Sequence, residues 1–459
     1  MATYREQRGF HVDTVARGVR LTVLNEAIAL PVAAAVTWLT QPSSLPYLRR
    51  LFKFAATYHI DLSRLNLAQV ARAALYLGGA GLLLTANRLL NKWSSNNWAP
   101  CRRGEWQDWT REVVVVTGGS SGIGASVVQG LLRRNPRTRI AIIDFAPLSW
   151  TPPPGVLGHN LRYYQADLSK PEALRAVCSR VRKELGHPTV LVNNAGLARG
   201  YGILDGTYAD VEITLKTNLT APFLMVKEFV PNMVRHDHGH VFNVCSMSAI
   251  MPPPDIVDYA ASKAGVQALH EGLAMELRSR YKAPHVRVTN GVFNFIKTPL
   301  LGGKPSQPQF MAPLLHVDTV GEAIVNSLYS GYGGVIYLPG IMRYISMIVS
   351  RFLSLSRSIL PLFTDFAPQR AAPEWVFQFA IKSATSHLTV GFKGRQKVDE
   401  MGGLLHEARE QPREAREPRE ARESTEPREA KEPREKEAKE RRESREDRGS
   451  RRQSRSARR

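Results

Sequence analysis

An α/β domain with a doubly wound parallel sheet is what the sequence predicts, and three observations predict it. Between residues 111 and 340, short β-branched runs (VVVVT, IAIID, TVLVNNAG, HVFNVCS, VRVTNGVF and, late, GVIYLPG) alternate with stretches of helix length. Apolar strands spaced in this way form a parallel sheet covered on both faces. The first run enters a glycine-rich turn, Gly118 to Gly124, and a helical pattern follows directly. Asp144 closes the second run, about 20 residues after the turn, the offset expected of a Rossmann-type nucleotide fold. Right-handed crossovers complete the topology.

Residues 1–110 precede this domain and carry two apolar stretches. Residues 21–39 are interrupted by Asn25, Glu26 and Pro31, and residues 73–86 lie between Arg72 and Arg88. Both runs are shorter than the roughly 20 residues of a full membrane span, so the expectation is a re-entrant or interfacial hairpin, or tilted helices. Arg49, Arg50, Lys53 and Arg64 separate the stretches, and Trp93, Trp98, Trp106 and Trp109 follow the second, as an interfacial aromatic belt would. Two buried amphipathic helices of a soluble domain are the alternative. Cys101, Cys178 and Cys245 are odd in number and match no CxxC or zinc spacing, which excludes a disulfide scaffold and points to a reducing compartment.

Within residues 111–340, the turn Gly118, Gly119, Ser120, Ser121, Gly122, Ile123, Gly124 brings backbone N–H groups against a pyrophosphate at a helix N-terminus. Asp144 accepts hydrogen bonds from a ribose 2′-hydroxyl and repels a 2′-phosphate. No Lys or Arg lies in the loop or directly after Asp144, so NAD is expected, with NADP as the alternative. Tyr259 and Lys263 stand at i and i+4, on one face of a helix. The ammonium is expected to lower the phenol from its ordinary value near 10, which suits Tyr259 to proton transfer. Ser246 is placed to bind the same substrate oxygen. Ser248 ranks lower on spacing, and His236, His238 and His240 read as a surface loop before a strand, with no metal site expected.

The TGxxxGxG spacing resembles the short-chain dehydrogenase/reductase superfamily, and other positions match its motifs in order. Asp167 matches the acid that contacts adenine. Asn193, Asn194, Ala195 and Gly196 reproduce NNAG, and Asn218 matches the helix asparagine that holds a water in the proton relay. Ser246 lies thirteen residues before Tyr259 of the YxxxK pair. The resemblance implies Asn218, Ser246, Tyr259 and Lys263 as catalytic residues. It places the cofactor on the glycine turn, Asp144, Asp167, Asn194, Ala195, Gly196, Tyr259, Lys263, Ile296 and Thr298, with Lys263 holding the nicotinamide ribose. The chain departs from the family where Phe293 and Asn294 replace the usual Pro-Gly, so the turn before Thr298 must be built differently.

Residues 341–405 form an extension. In 341–363, Arg343, Ser346, Ser350, Arg351, Ser354, Arg357 and Ser358 fall on one side of a helical wheel, and Ile345, Ile348, Val349, Phe352, Leu355, Ile359 and Leu360 on the other. That is the pattern of a helix lying in a membrane interface. Residues 406–459 are almost entirely Glu, Arg, Lys, Pro, Ser and Ala, the composition of a disordered charged tail.

The formal charge of +21, from 62 Lys+Arg against 41 Asp+Glu, divides as +7, +6, +4 and +4 over the four segments. A nucleic-acid-binding domain concentrates basic residues on one element. No specific nucleic acid is expected here, and arginines flanking apolar stretches suit anionic headgroups. An anchored chain of this kind resembles the membrane-associated retinol and hydroxysteroid dehydrogenases of the endoplasmic reticulum and lipid droplets. The resemblance implies an NAD(P)-dependent enzyme interconverting a lipophilic alcohol and its carbonyl, a cytosolic catalytic domain and helix-mediated homodimers. The alternative is a catalytically idle dinucleotide-binding protein whose tail recruits partners, RNA or anionic lipid.

Overall fold

A computed structural model describes residues 12–58, 66–102, 104–302, 310, 313–343 and 391–392. The interfacial helix expected in 341–363 and the charged tail 406–459 lie outside these residues, apart from 341–343. The strands are β1 (Val113–Thr117), β2 (Arg139–Asp144), β3 (Leu161–Gln165), β4 (Val190–Asn193), β5 (Gly239–Ser246), β6 (Val286–Phe293), β7 (Leu301–Gly302), β8 (Gly334–Leu338) and β9 (Gly391–Phe392). Seven of them form one sheet in the order β3-β2-β1-β4-β5-β6-β8, all parallel, and β7 pairs antiparallel with β9. This is the doubly wound Rossmann-type sheet that the alternating runs predict.

Ten α-helices accompany the strands among the described residues: α1 (Val12–Leu21), α2 (Glu26–Leu39), α3 (Leu45–Thr57), α4 (Leu67–Ser94), α5 (Gly122–Arg134), α6 (Pro171–Leu185), α7 (Tyr208–Leu215), α8 (Ala221–His236), α9 (Val257–Ser279) and α10 (Val317–Ser330). Val114 and Val116, with Ile140 and Ile142, face a core shared with α5 and α10. Val115, Ala141 and Ile143 face a second core shared with α6, α8 and α9. Strands buried on both faces explain the unbroken β-branched runs. Strand order reverses between β1 and β4, which opens a crevice beyond their C-terminal ends.

The apolar run at 73–86 belongs to a much longer helix than its own length suggests. α4 has 28 residues, because Asn66 caps its start and good helix formers continue past Arg88. It is long and apolar enough to cross a membrane by length and composition, and α1 with α2, bent by 44° between them, satisfies the same measure only as a pair. α2 packs on α4, and a Cβ at Gly81 would lie 2.3 Å from the carbonyl of Leu24 in the turn just before α2, so α4 and that turn touch backbone to backbone.

Residues 95–112 bind these helices to the sheet. The buried Arg287 guanidinium donates to the carbonyls of Asn96 and Ala99, each at 2.9 Å, and of Pro284 at 3.1 Å. Asn96 exchanges two bonds with Gly333, donating from Nδ2 and accepting from its N–H. Trp106 and Trp109, expected in an interfacial belt, are buried in the core with α5 and α10 instead. Trp109 stacks on Tyr329, 4.0 Å between ring centroids. Only Trp93 and Trp98 of the four are exposed. Sequence proximity to an apolar run does not distinguish a belt from a strap that ends in the core.

Nor do the three histidines form a surface loop. His236 ends α8, His240 lies fully buried in β5 with Nε2 2.7 Å from Thr289 Oγ1, and His238 sits between Glu105 and Glu112. Burial works to lower the His238 value, but the two carboxylates outweigh it and raise it to about 9. A raised histidine stabilises the fold fully below its unfolded value near 6.5, and that contribution disappears as pH rises through about 9. Unfolding free energy is therefore expected to drop by on the order of 3 kcal/mol between pH about 6.5 and 10. Denaturant melts of the protein and of His238→Gln check this; the variant should lose the alkaline slope.

Candidate active site

The ends of β1 and β4 are joined by one side chain. Asn194 Nδ2 donates to the carbonyls of Thr117 and Gly118, both at 2.9 Å. Thr117 Oγ1 accepts the N–H groups of Asn194 and Ala195, each at 3.0 Å. Gly118 has φ +67°, and a Cβ there would lie 2.8 Å from Ala195 Cα. The turn then reaches α5, whose N-cap Ser121 makes no side-chain capping bond. Thr117 was not singled out in the sequence. Its signal is that it supplies the threonine of the TGxxxGxG pattern.

Asp144, at the end of β2, accepts from the Ser120 N–H at 2.8 Å and from the Ala146 N–H at 3.0 Å, which places its carboxylate at the edge of the glycine turn. Asp167 follows β3 and accepts from the Ser169 N–H and hydroxyl. Ile296 is buried and bridges to Leu315, with Lys297 N–H bonded to the Leu315 carbonyl, so residues 294–298 are braced by the loop before α10 in place of a Pro-Gly turn. Thr298 returns to the glycine turn, where a Cβ at Gly122 would lie 3.6 Å from Thr298 Cγ2.

The catalytic candidates meet at the C-terminal end of β5 and the first turns of α9. Ser246 ends β5, its hydroxyl accepts from the Ser248 N–H at 3.2 Å, and it acts on the Tyr259 phenol to lower that group's value. Ser248 Oγ is buried and has no partner. Lys263 is buried, with Nζ donating to the Val244 carbonyl at 2.9 Å and lying 5.6 Å from the Tyr259 ring centroid. Cys245 Sγ lies 3.3 Å from the Lys263 carbonyl.

Asn218 sits in a π-helical turn (Lys216–Thr220) between α7 and α8. Its Oδ1 accepts from the Leu197 N–H at 2.8 Å, and its Nδ2 donates to the Leu197 carbonyl at 2.8 Å and to Ser262 Oγ at 3.1 Å. Ser262 in turn donates to the Tyr259 carbonyl at 2.6 Å. The Asn218 side chain thus braces the loop after β4 and the Tyr259–Lys263 turn together. Ser262 is a second residue the spacing alone does not single out.

The electrostatics differ from the sequence expectation at Tyr259. Burial pushes its phenol up to about 12, against the lowering effect of the Ser246 hydrogen bond, and burial also pulls Lys263 below its ordinary value. Desolvation penalises both charged forms, and it exceeds the attraction that the i, i+4 spacing promised. The free site therefore holds a protonated phenol.

A dinucleotide fits these residues on two observations: the uncapped N-terminus of α5 beside the positive-φ turn, and the polar atoms of Asn218 and Lys263 gathered close against the Cβ-less Gly196. A Cβ at Gly196 would lie 3.3 Å from Asn218 Oδ1 and 3.5 Å from Lys263 Nζ. Gly196→Ala is expected to weaken dinucleotide binding about tenfold, a cost of about 1.4 kcal/mol, with little change in melting temperature. Titration calorimetry beside a thermal melt separates the two.

A doubly wound sheet with a glycine turn at its switch point and a Ser, Tyr and Lys gathered beside it defines a dinucleotide-dependent oxidoreductase. The sequence pattern described as short chain dehydrogenase matches residues 112–309. The protein named Dehydrogenase RED2 of Cochliobolus heterostrophus is 39% identical over 183 residues, covering 40% of this chain and 67% of that protein. Human retinol dehydrogenase 10 is 39% identical over 119 residues, 26% of this chain and 35% of that protein. Among solved structures, a metagenomic short-chain oxidoreductase in complex with NADP is 25% identical, with a TM-score of 0.40, covering 50% of this chain and 96% of that one. The chain belongs to the short-chain dehydrogenase family.

Proposed function

We propose that the protein is a membrane-associated, NAD-dependent oxidoreductase that interconverts a lipophilic alcohol and its carbonyl, on the endoplasmic reticulum or lipid droplets with the catalytic domain in the cytosol. The observation that carries the chemistry is the meeting of Ser246, at the end of β5, with the first turns of α9, where Tyr259 stands beside the buried Lys263. The bound nicotinamide supplies or takes the hydride. Ser246 orients the substrate oxygen, and Tyr259 donates its proton to a carbonyl oxygen or takes one from an alcohol. Lys263 keeps donors for the ribose, and Asn218 holds the loop after β4 in register with α9.

NAD over NADP follows from the Asp144 carboxylate at the edge of the glycine turn, where a 2′-phosphate would be repelled. The lipophilic substrate draws on the relative named retinol dehydrogenase 10 and on the exposed apolar side chains of α2 and α4, among them Ile28, Val32, Leu75, Tyr76 and Leu83. The domain organisation proposed is an anchor over 1–110, a catalytic domain over 111–340, an interfacial extension over 341–405 and a charged tail over 406–459.

Full-length protein on liposomes, supplied with NAD or NADP and a panel of retinoid, sterol and long-chain alcohols, tests this reading. Turnover with NAD on at least one of them is expected. Dinucleotide binding without turnover on any alcohol or its carbonyl would favour the idle binding protein.

A further inference from the structure

A cleft of about 80 Å³ opens on the face of the sheet opposite α5 and α10. α9 packs on β5 and β6 but leaves part of β6 and the edge strand β8 to this cleft. Val288, Asn290 and Val292, alternate residues of β6, line one side of it, and Val335 of β8 continues the same wall. His270, Glu271 and Ala274 line it from one face of α9, and Ser95 and Asn97, just after α4, close a further side. His270 follows Lys263 by seven residues, about 10 Å along the helix, so the cleft stands apart from the reacting groups.

Two buried polar atoms belong to residues that line this cleft. His270 is 5% exposed and Asn290 1%, and neither His270 Nδ1 nor Asn290 Oδ1 has a hydrogen-bond partner among the described residues. Buried polar atoms are as a rule satisfied, by protein or by a bound molecule. Water alone suits this cleft poorly. One water needs roughly 10–15 Å³ of such space and two to four polar partners, so several would fill it. Val288, Val292, Val335 and Ala274 offer them no partner. An apolar body with one polar end matches these walls better.

The two atoms also select the polar end. Asn290 Oδ1 only accepts, and a neutral imidazole nitrogen either donates or accepts according to its tautomer. Burial pulls His270 down to about 4, so the ring is neutral near pH 7. A hydroxyl can donate to the one and bond the other in either tautomer. An anion would meet the Asn290 oxygen and the Glu271 carboxylate, and an ammonium would give up its water beside Arg278 and an uncharged ring.

We propose that this cleft binds the hydroxyl end of a neutral, apolar-bodied alcohol, at a site separate from the one where Ser246 and Tyr259 act. The bound molecule joins α9, β6, β8 and the segment after α4, which otherwise meet around empty space.

Full-length protein is irradiated with a diazirine-bearing hexanol in solution, or with a diazirine-bearing hexadecanol in phosphatidylcholine vesicles, and digested with trypsin. Residues 264–278 form one peptide and residues 236–263 another, so label in the cleft and label in the active site are read separately. Saturable labelling of 264–278, displaced by unlabelled hexanol and not by chlorohexane, is expected. The probe that labels tells a soluble source from a bilayer one. Labelling of 264–278 by neither probe, or equal displacement by chlorohexane, overturns the proposal. Asn290→Leu should cut labelling of 264–278 about fivefold and leave that of 236–263 unchanged. Ala274→Trp, which fills the cleft from the helix side, gives the same reading should leucine in β6 disturb folding. Unchanged labelling of 264–278 in whichever variant folds also overturns it.

Discussion

Tyr259→Phe is expected to lower kcat by a factor of about 10²–10⁴ while leaving dinucleotide affinity within about twofold. The substitution removes one oxygen from a ring whose packing stays in place, so the fold is untouched and the proton donor is lost. Stopped-flow measurement of the hydride step, with binding followed by cofactor fluorescence, separates the two effects. Retained turnover would falsify the assignment of Tyr259 as the acid. The companion Ser246→Ala should cost less, because it disturbs the orientation of the substrate oxygen and leaves the proton donor standing.

The largest effect on stability is expected from Arg287→Met. Its guanidinium is buried and makes three charge-assisted bonds to main-chain carbonyls, two of them in the segment that follows α4. Each such bond is worth about 1.5–3 kcal/mol, and methionine satisfies none of the carbonyls left behind. A loss of about 3–5 kcal/mol is expected, read as a lower denaturant midpoint. Because the sheet itself keeps its core, the variant should first release residues 95–102. Hydrogen exchange localised there, ahead of global unfolding, checks that order. Loss spread evenly over the sheet would show that the strap is part of the same cooperative unit.

Most of the sheet is legible in the sequence, because a strand buried on both faces must be written as an unbroken β-branched run. VVVVT and IAIID come near to that pattern, VRVTNGVF is broken by the buried Arg287 and Asn290, and each forms its strand in the expected place. The glycine turn is equally legible, since Gly118 is demanded by backbone geometry. What the sequence hides is partnership. Thr117 and Ser262 are ordinary residues until their acceptors and donors, as many as 78 and 44 positions away, are brought beside them. Trp106 and Trp109 misled for the same reason, since their companions in the core come from α5 and α10. The Tyr259 phenol misled differently. Spacing predicts the attraction of an ammonium, but the desolvation that outweighs it depends on everything packed around the pair.

The bonds between the apolar helices and the sheet have a consequence in time. Asn96 waits for Gly333, 237 residues later, and Asp13 waits for Gly340, 327 residues later. At about 5–20 residues synthesised per second, those partners emerge some ten seconds to a minute after the helices do. Throughout that interval the apolar faces of α2 and α4 have each other but neither of their fixings to the sheet. The paired helices therefore exist before the sheet that they are tied to, and the sheet must fold onto helices already made.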